Sequence, residues 1–213
     1  MRKNCLIIFY TALALSLQGC SNVGTSNTPT AQPTSLDKAY FKLHLSTTKG
    51  GSDGDGNTVI LSTVNGYNKQ RVLTQYNVIG DNYISATIDK TTGETTYQID
   101  SLIEYKDHDA RLYKHINYTA DGHRQSGEGT LVSQTSDCKG NQYSGCLRKE
   151  HVAFSIAQQT IEQVAKNYTE GSQDKWQYTL SPEREKNYSA SLFVAEISAL
   201  VEAVNEYKKR HNF

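Results

Sequence analysis

Net charge is what this 213-residue chain most plainly lacks: 22 Lys and Arg stand against 22 Asp and Glu. Without an excess of base it presents no broad basic face to nucleic acid. It also has no basic run to draw it toward anionic headgroups. Proline is nearly absent. Of three residues, Pro29 and Pro33 share one short stretch and Pro182 alone lies beyond it. Cysteine is scarce as well, with four residues and no CxxC pair, which argues against a thiol–disulfide redox centre. There is no HExxH and no Cys/His cluster at zinc spacing. No apolar run approaches the roughly 20 residues of a membrane-spanning helix; the run over residues 5–17 covers 13 positions.

That short run is nonetheless the most informative segment. Arg2 and Lys3 precede it and Leu17-Gln18-Gly19-Cys20 closes it. A positive start, a short apolar stretch and a small residue at the end have the order of a cleavable export signal. With cysteine directly after Gly19, the segment resembles the lipobox of bacterial lipoproteins. The resemblance implies cleavage after residue 19 and acylation of both the Cys20 thiol and the new amino terminus. The result is a firm anchor, since two lipid signals already suffice for stable attachment. Ser21, where aspartate is absent, resembles the outer-membrane sorting signal of Gram-negative lipoproteins. The expected location is therefore the cell envelope, most simply the outer membrane, with a covalent membrane contact. Loss of residues 1–19 removes Arg2 and Lys3 and no acid, so 22 basic residues become 20 against 22 acidic. Cys5 leaves with the signal and Cys20 carries lipid. Cys138 and Cys146 remain, and in an oxidising compartment a disulfide between them is expected.

Residues 20–36 hold the lipidated cysteine and a Ser/Thr/Asn-rich stretch with almost nothing to bury. Such a segment cannot offset its ordering entropy, and it reads as a disordered tether reaching about 20–25 Å on average. Residues 37–213 suffice for a single domain with a sizeable core. Their first two-thirds alternate as strands do: Phe41–Leu45, Thr58–Leu61, Gln70–Ile79 with Val72, Tyr76 and Val78 on one face, Tyr83–Ile88, Tyr97–Tyr105 and Arg111–Thr119. A last hairpin joins Gln125–Ser136 to Leu147–Phe154. In the longest strand Tyr97, Ile99, Ser101, Ile103 and Tyr105 share one face, and Gln98, Asp100, Glu104 and Lys106 fall mainly on the other. Gly93, Asp107-His108-Asp109 and Asp121-Gly122 mark turns. A Cys138–Cys146 bridge would close the hairpin tip and contribute about 2.5 kcal/mol by chain entropy.

The period then changes to 3.6. Ser155 with Gln158 fits a capping box. Ile156, Thr160, Ile161, Val164, Ala165 and Tyr168 form a stripe that Gly171 ends. Trp176–Leu180 returns to a strand, and residues 182–190 have no assignable pattern. The C-terminal stretch is the clearest helix. Phe193, Ile197, Leu200, Val201, Val204 and Tyr207 form its apolar stripe, with Glu196, Glu202, Glu206, Lys208 and Lys209 mostly facing away. Strands first and amphipathic helices last predict an α+β fold, an antiparallel sheet of six to eight strands covered on one face by two C-terminal helices.

Motifs of chemistry are weak. Asp53, Asp55 and Asn57 have the spacing of the first calcium ligands of an EF-hand. Thr58 stands where its turn glycine belongs and Val64 where its bidentate glutamate belongs, so a connecting loop is expected. His108, His115 and His123 are spread along one strand and its turns. His151 follows Glu150 on a strand, so the two point to opposite faces and form no dyad. His123-Arg124-Gln125-Ser126-Gly127-Glu128-Gly129 lacks the GxSxG elbow and reads as a strand with glycine at a bulge. Thirteen tyrosines beyond the signal alternate between faces. They read as strand formers on the core rim with their hydroxyls in water rather than as a binding platform.

Residues 82–207 resemble an uncharacterised family of proteobacterial exported proteins. The similar stretches are Ile88-Asp89-Lys90-Thr91-Thr92-Gly93-Glu94-Thr95-Thr96-Tyr97-Gln98, the two cysteines before Glu150-His151-Val152, and Val194-Ala195-Glu196-Ile197. The resemblance implies no activity and carries over no site residue. The expectation is a lipid-anchored, non-catalytic binding module whose partner the sequence does not name, another envelope protein being one candidate, with no cofactor, metal or nucleic acid. The alternatives are a periplasmic hydrolase with a site assembled from distant residues, or a carrier of an apolar ligand. Assigned residues are Cys20 for lipid and Cys138 and Cys146 for the disulfide.

Overall fold

The computed structural model describes residues 36–50, 56–67, 72–73, 78–138, 145–183 and 187–213, all within one compact unit, Gln32–Phe213. Among the described residues, ten strands and four helices follow one another as α1 (Lys38–Leu43), β1 (Ser46–Gly50), β2 (Thr58–Ser62), α2 (Val64–Tyr67), β3 (Val72–Leu73), β4 (Ile79–Asp89), β5 (Thr95–Asp107), β6 (Tyr113–Ala120), β7 (His123–Asp137), β8 (Cys146–Ile156), α3 (Gln158–Lys166), β9 (Lys175–Pro182), β10 (Tyr188–Phe193) and α4 (Val194–His211). The fold is α+β with an antiparallel sheet, as expected, but with more than the six to eight strands foreseen. Nine strands lie on one path, β1-β2-β4-β5-β8-β7-β6-β9-β10, and β3 pairs with β4.

Alternation decides the central strands. Along β5, Tyr97, Ile99, Ser101, Ile103 and Tyr105 are all buried on the core face, as their period of two requires. Their neighbours in the core are Ile84, Ile88, Ile116, Phe154, Leu180 and Leu192 from the strands, with Ile161 of α3 and Ile197, Leu200 and Val204 of α4, in one contiguous cluster. Tyr105, Tyr113, Tyr97, Tyr178 and Tyr188 are buried outright. This corrects the expectation of hydroxyls held in water: polar partners brought in by tertiary contact allow burial of at least Tyr105 and Tyr113. The last strand also curls back toward the sheet. A Cβ on Gly80 of β4 would lie 1.6 Å from the Tyr188 hydroxyl of β10, so only glycine permits that approach.

Several expectations change. Phe41–Leu45 is not a strand: residues 38–43 are helical. Asp37 caps them by accepting from the Tyr40 N–H at 2.8 Å, and Phe41 alone is buried while Leu43 is 63% exposed. A strand would have put both on one face; docking of Phe41 against Phe193, Ala195 and Ala199 selects the helix. The capping box at Ser155 does not form, because Ser155 belongs to β8 and Ala157 occupies the N-cap without a side-chain bond. That helix ends at Lys166, well before Gly171, whose φ of +77° serves a later turn. Residues 188–193, partly in the unassigned stretch, form β10, so Phe193 ends a strand instead of opening the helical stripe. Of the strand expected over residues 70–79, Val72–Leu73 and the start of β4 are seen; residues 70–71 and 74–77 lie outside the described residues.

Candidate functional site

β7 changes partner midway. His123–Glu128 pair with β6, and residues 129–137 pair with β8. Gly129 makes the close approach that glycine allows: a Cβ there would lie 2.3 Å from the Phe154 ring. The irregularity falls slightly later, at a register shift between Leu131 and Ser133.

On the outer face of β4, β5 and β8, polar side chains converge on Asp100. His151 Nε2 lies 2.7 Å from Asp100 Oδ1. The Ser85 hydroxyl donates to Oδ2 at 3.4 Å and the Gln98 amide reaches both oxygens at 3.2 Å. The strand register explains the meeting. Leu102 stands opposite His151 and Asp100 opposite Ala153, so Asp100 and His151 are diagonal neighbours on one face. A carboxylate oxygen only accepts, so Nε2 is the donor and Nδ1 is left for other work. Tyr83, directly across from Asp100, has its phenol pushed up to about 12 by burial and by the nearby Asp100 and Asp81.

Beside this cluster a groove of about 450 Å³ is lined by His151, Ser133, Thr135, Asp81, and the Lys149–Glu104 ion pair at 3.0 Å. Ser133 is the direct cross-strand partner of His151. Glu150 points inward, to the face opposite His151, as their adjacency on a strand foresaw. Its carboxylate accepts from the Tyr105 hydroxyl and, at 3.2 Å each, from the Leu112 and Tyr113 N–H groups. Arg111 N–H donates to the Tyr105 hydroxyl, and the Arg111 guanidinium, over the Tyr105 ring, bonds Asp107 at 3.0 Å. This network fixes the arch from β5 to β6, where Leu112 takes a φ of +56°.

Glu196 overturns another expectation. It does not face away but is fully buried. It stands three residues past the Phe193 N-cap and reaches back to the Phe193 N–H, the carboxylate half of a capping box. Oε1 lies 2.5 Å from Thr63 Oγ1, which also accepts from Ile84 N–H and sits 3.2 Å from Ile84 O. Burial, with a contribution from Asp81, pushes the Glu196 carboxyl up to about 8. The Thr63 hydroxyl and the Phe193 N–H, which both donate to the carboxylate, oppose that rise without cancelling it.

Of the residues assigned from sequence, Cys20 and the tether residues 20–35 lie outside the described residues, as do Asp53 and Asp55. Cys138 and Cys146 lie with their sulfurs 2.06 Å apart, compatible with a disulfide. His108, His115 and His123 are exposed. Among the described residues no three His, Cys, Asp or Glu side chains group as a metal site would need, and no helix is long and apolar enough to cross a membrane. Sequence reasoning missed the Asp100–His151 pair. Alternation put His151 and Glu150 on opposite faces, but nothing in the sequence gave the register that delivers Asp100 to His151. No family model, curated protein or solved structure matches the chain.

Proposed function

We propose that this is a lipid-anchored protein of the cell envelope, held by Cys20, that works as a non-catalytic binding module for another envelope protein. In this reading α3 and α4 close one face of the sheet and the groove beside Asp100 and His151 is the binding surface on the other. The carrying observation is that the polar side chains around that groove are already engaged with one another. Asp100 holds Ser85, Gln98 and His151, and Lys149 holds Glu104. Groups bonded in this way build a fixed, polar recognition surface. A hollow of about 570 Å³ between α3 and α4 is lined by Glu162, Lys166, Glu202 and Lys209 among others; its charged walls disfavour the carrier of an apolar ligand. The test is photo-crosslinking in cells from Thr135, compared with Lys209. A discrete adduct from Thr135, lost when Cys20→Ser releases the protein from the membrane, supports the reading; equal adducts from both positions count against it.

One observation favours a second reading, a hydrolase. Ser133 and His151 are cross-strand partners that line one groove, and Asp100, from a third strand, bonds His151 from beside it, the order of a nucleophilic triad. Labelling of Ser133 by a fluorophosphonate, abolished in His151→Gln, would establish it; an unlabelled Ser133 removes it.

A further inference from the structure

We propose that the segment from Thr63 to Gly66 is a flap over Glu196 that lifts from β4 as pH rises, baring the stretch of β4 from Asp81 to Ile84. The flap does not depend on the binding-module reading.

On this edge of β4, β2 pairs with residues 85–89 and β3 with Ile79 and Gly80. Among the described residues no strand pairs with 81–84 there. The chain leaving β2 covers the end of that gap. Thr63 N–H donates to Ile84 O at 3.0 Å, and Thr63 Oγ1 accepts from Ile84 N–H at 3.1 Å. Beyond Thr63 the hold is slight. Gly66 N–H donates back to Thr63 O at 3.0 Å, and the Tyr40 hydroxyl donates to Gly66 O at 3.2 Å. Val64 is half-buried and Asn65 exposed. A helix as short as α2 has no stability of its own, since isolated helices below about 12–15 residues are marginal.

Under this segment lies a carboxyl held on one side only. Glu196 is fully buried. The Thr63 hydroxyl donates to Oε1 at 2.5 Å, and the Phe193 N–H also bonds the carboxyl. Oε2 is buried with no hydrogen-bond partner among the described residues. The charged group that acts on it is Asp81 of β4, a second acid. Lys38 and Lys42 of α1 are taken by Glu202 and Glu206 farther along α4. The other titratable groups nearby are Tyr40, Tyr83 and Tyr168 on the Phe41–Phe193 cluster, His44 beside Gly66, and Lys175 over the Phe193 ring. None of these bonds the Glu196 carboxyl.

Ionised in place, Glu196 would keep an unpaired oxygen in the interior beside another acid, which desolvation makes costly. The closed flap therefore keeps the proton on; the lifted flap gives the group to water, where it ionises near its ordinary value. Between 4.5 and about 8, each pH unit then favours the lifted form by about a further tenfold.

The test is amide hydrogen exchange on the full chain in detergent micelles, from about pH 5.5 to about pH 7.5, read at Thr63, Gly66 and Ile84. Base catalysis alone speeds exchange about tenfold per pH unit; with the flap, about a hundredfold is expected at these amides. They are also expected to exchange ahead of Ile99 and Phe154 at the centre of the sheet. Glu196→Gln cannot ionise and is expected to return them to about tenfold per unit. The inference is overturned by a parent slope no steeper than base catalysis, by an undiminished slope in Glu196→Gln, or by exchange only in step with Ile99 and Phe154. The first and last are read on the parent protein, so they stand even where the variant folds poorly. All of them leave the module reading as it was.

Discussion

At the residue scale, buried carboxylates carry the chemistry with measurable consequences. Glu196 has its carboxyl raised from 4.5 to about 8, first by burial. Across that window the folded protein binds a proton that the unfolded chain has released, so stability falls as pH rises from about 4.5 to about 8 and then levels. Glu196→Gln keeps the shape and the bond to Thr63 without the charge. Denaturant titrations at several pH values are expected to show this slope diminished and the variant more stable than the parent above pH 8; an unchanged slope would contradict the assignment. Glu150 is also buried, and its carboxylate accepts from three donors. Glu150→Ala leaves them unpaired and is expected to cost about 3 kcal/mol or more in the same titrations.

At the element scale, two readings show where periodicity suffices and where it fails. β5 was legible because its five core-facing residues keep one parity over nine positions, and only a sheet buries such a pattern. α1 was not, because Phe41-Lys42-Leu43-His44-Leu45 is too short to separate a period of two from one of 3.6. Docking decided it. Phe41→Ala is expected to cost about 3–5 kcal/mol and to free α1 from α4, seen as faster amide exchange in residues 38–43. The ion pairs of Lys38 and Lys42 with Glu202 and Glu206 lie on the same contact, but being half-exposed they hold it weakly. In β7, Gly129→Ala would drive a Cβ into the Phe154 ring. A loss of about 1–3 kcal/mol is expected in thermal or denaturant melts.

At the scale of the whole molecule, the proposed lipid anchor and the bridge between Cys138 and Cys146 each have a direct test. Cys20→Ser is expected to move the protein from the membrane to the soluble fraction on cell fractionation, and continued membrane association would refute the lipid anchor. Thiol titration of the purified, unfolded protein, with Cys20 acylated, is expected to find no free thiol; two would refute the bridge between Cys138 and Cys146. The candidate site was half legible at this scale. Glu150 and His151 pointing to opposite faces follows from adjacency on a strand. The meeting of His151 with Asp100, 51 residues away in sequence, follows from a diagonal across two paired strands.

By itself the sequence determined the strand-rich first part, the terminal helix, the position of Cys20 after an export-type segment, and the parity of each side chain along β5 and β8. These depend on neighbours a few residues apart, and local periodicity records them. Tertiary structure alone decided that Phe41 lies on a helix, that Glu196 is buried, that Asp100 meets His151, and that β7 changes partner midway. Each depends on which strand pairs with which and in what register. Register is set by packing summed over the whole sheet, and no single segment contains it.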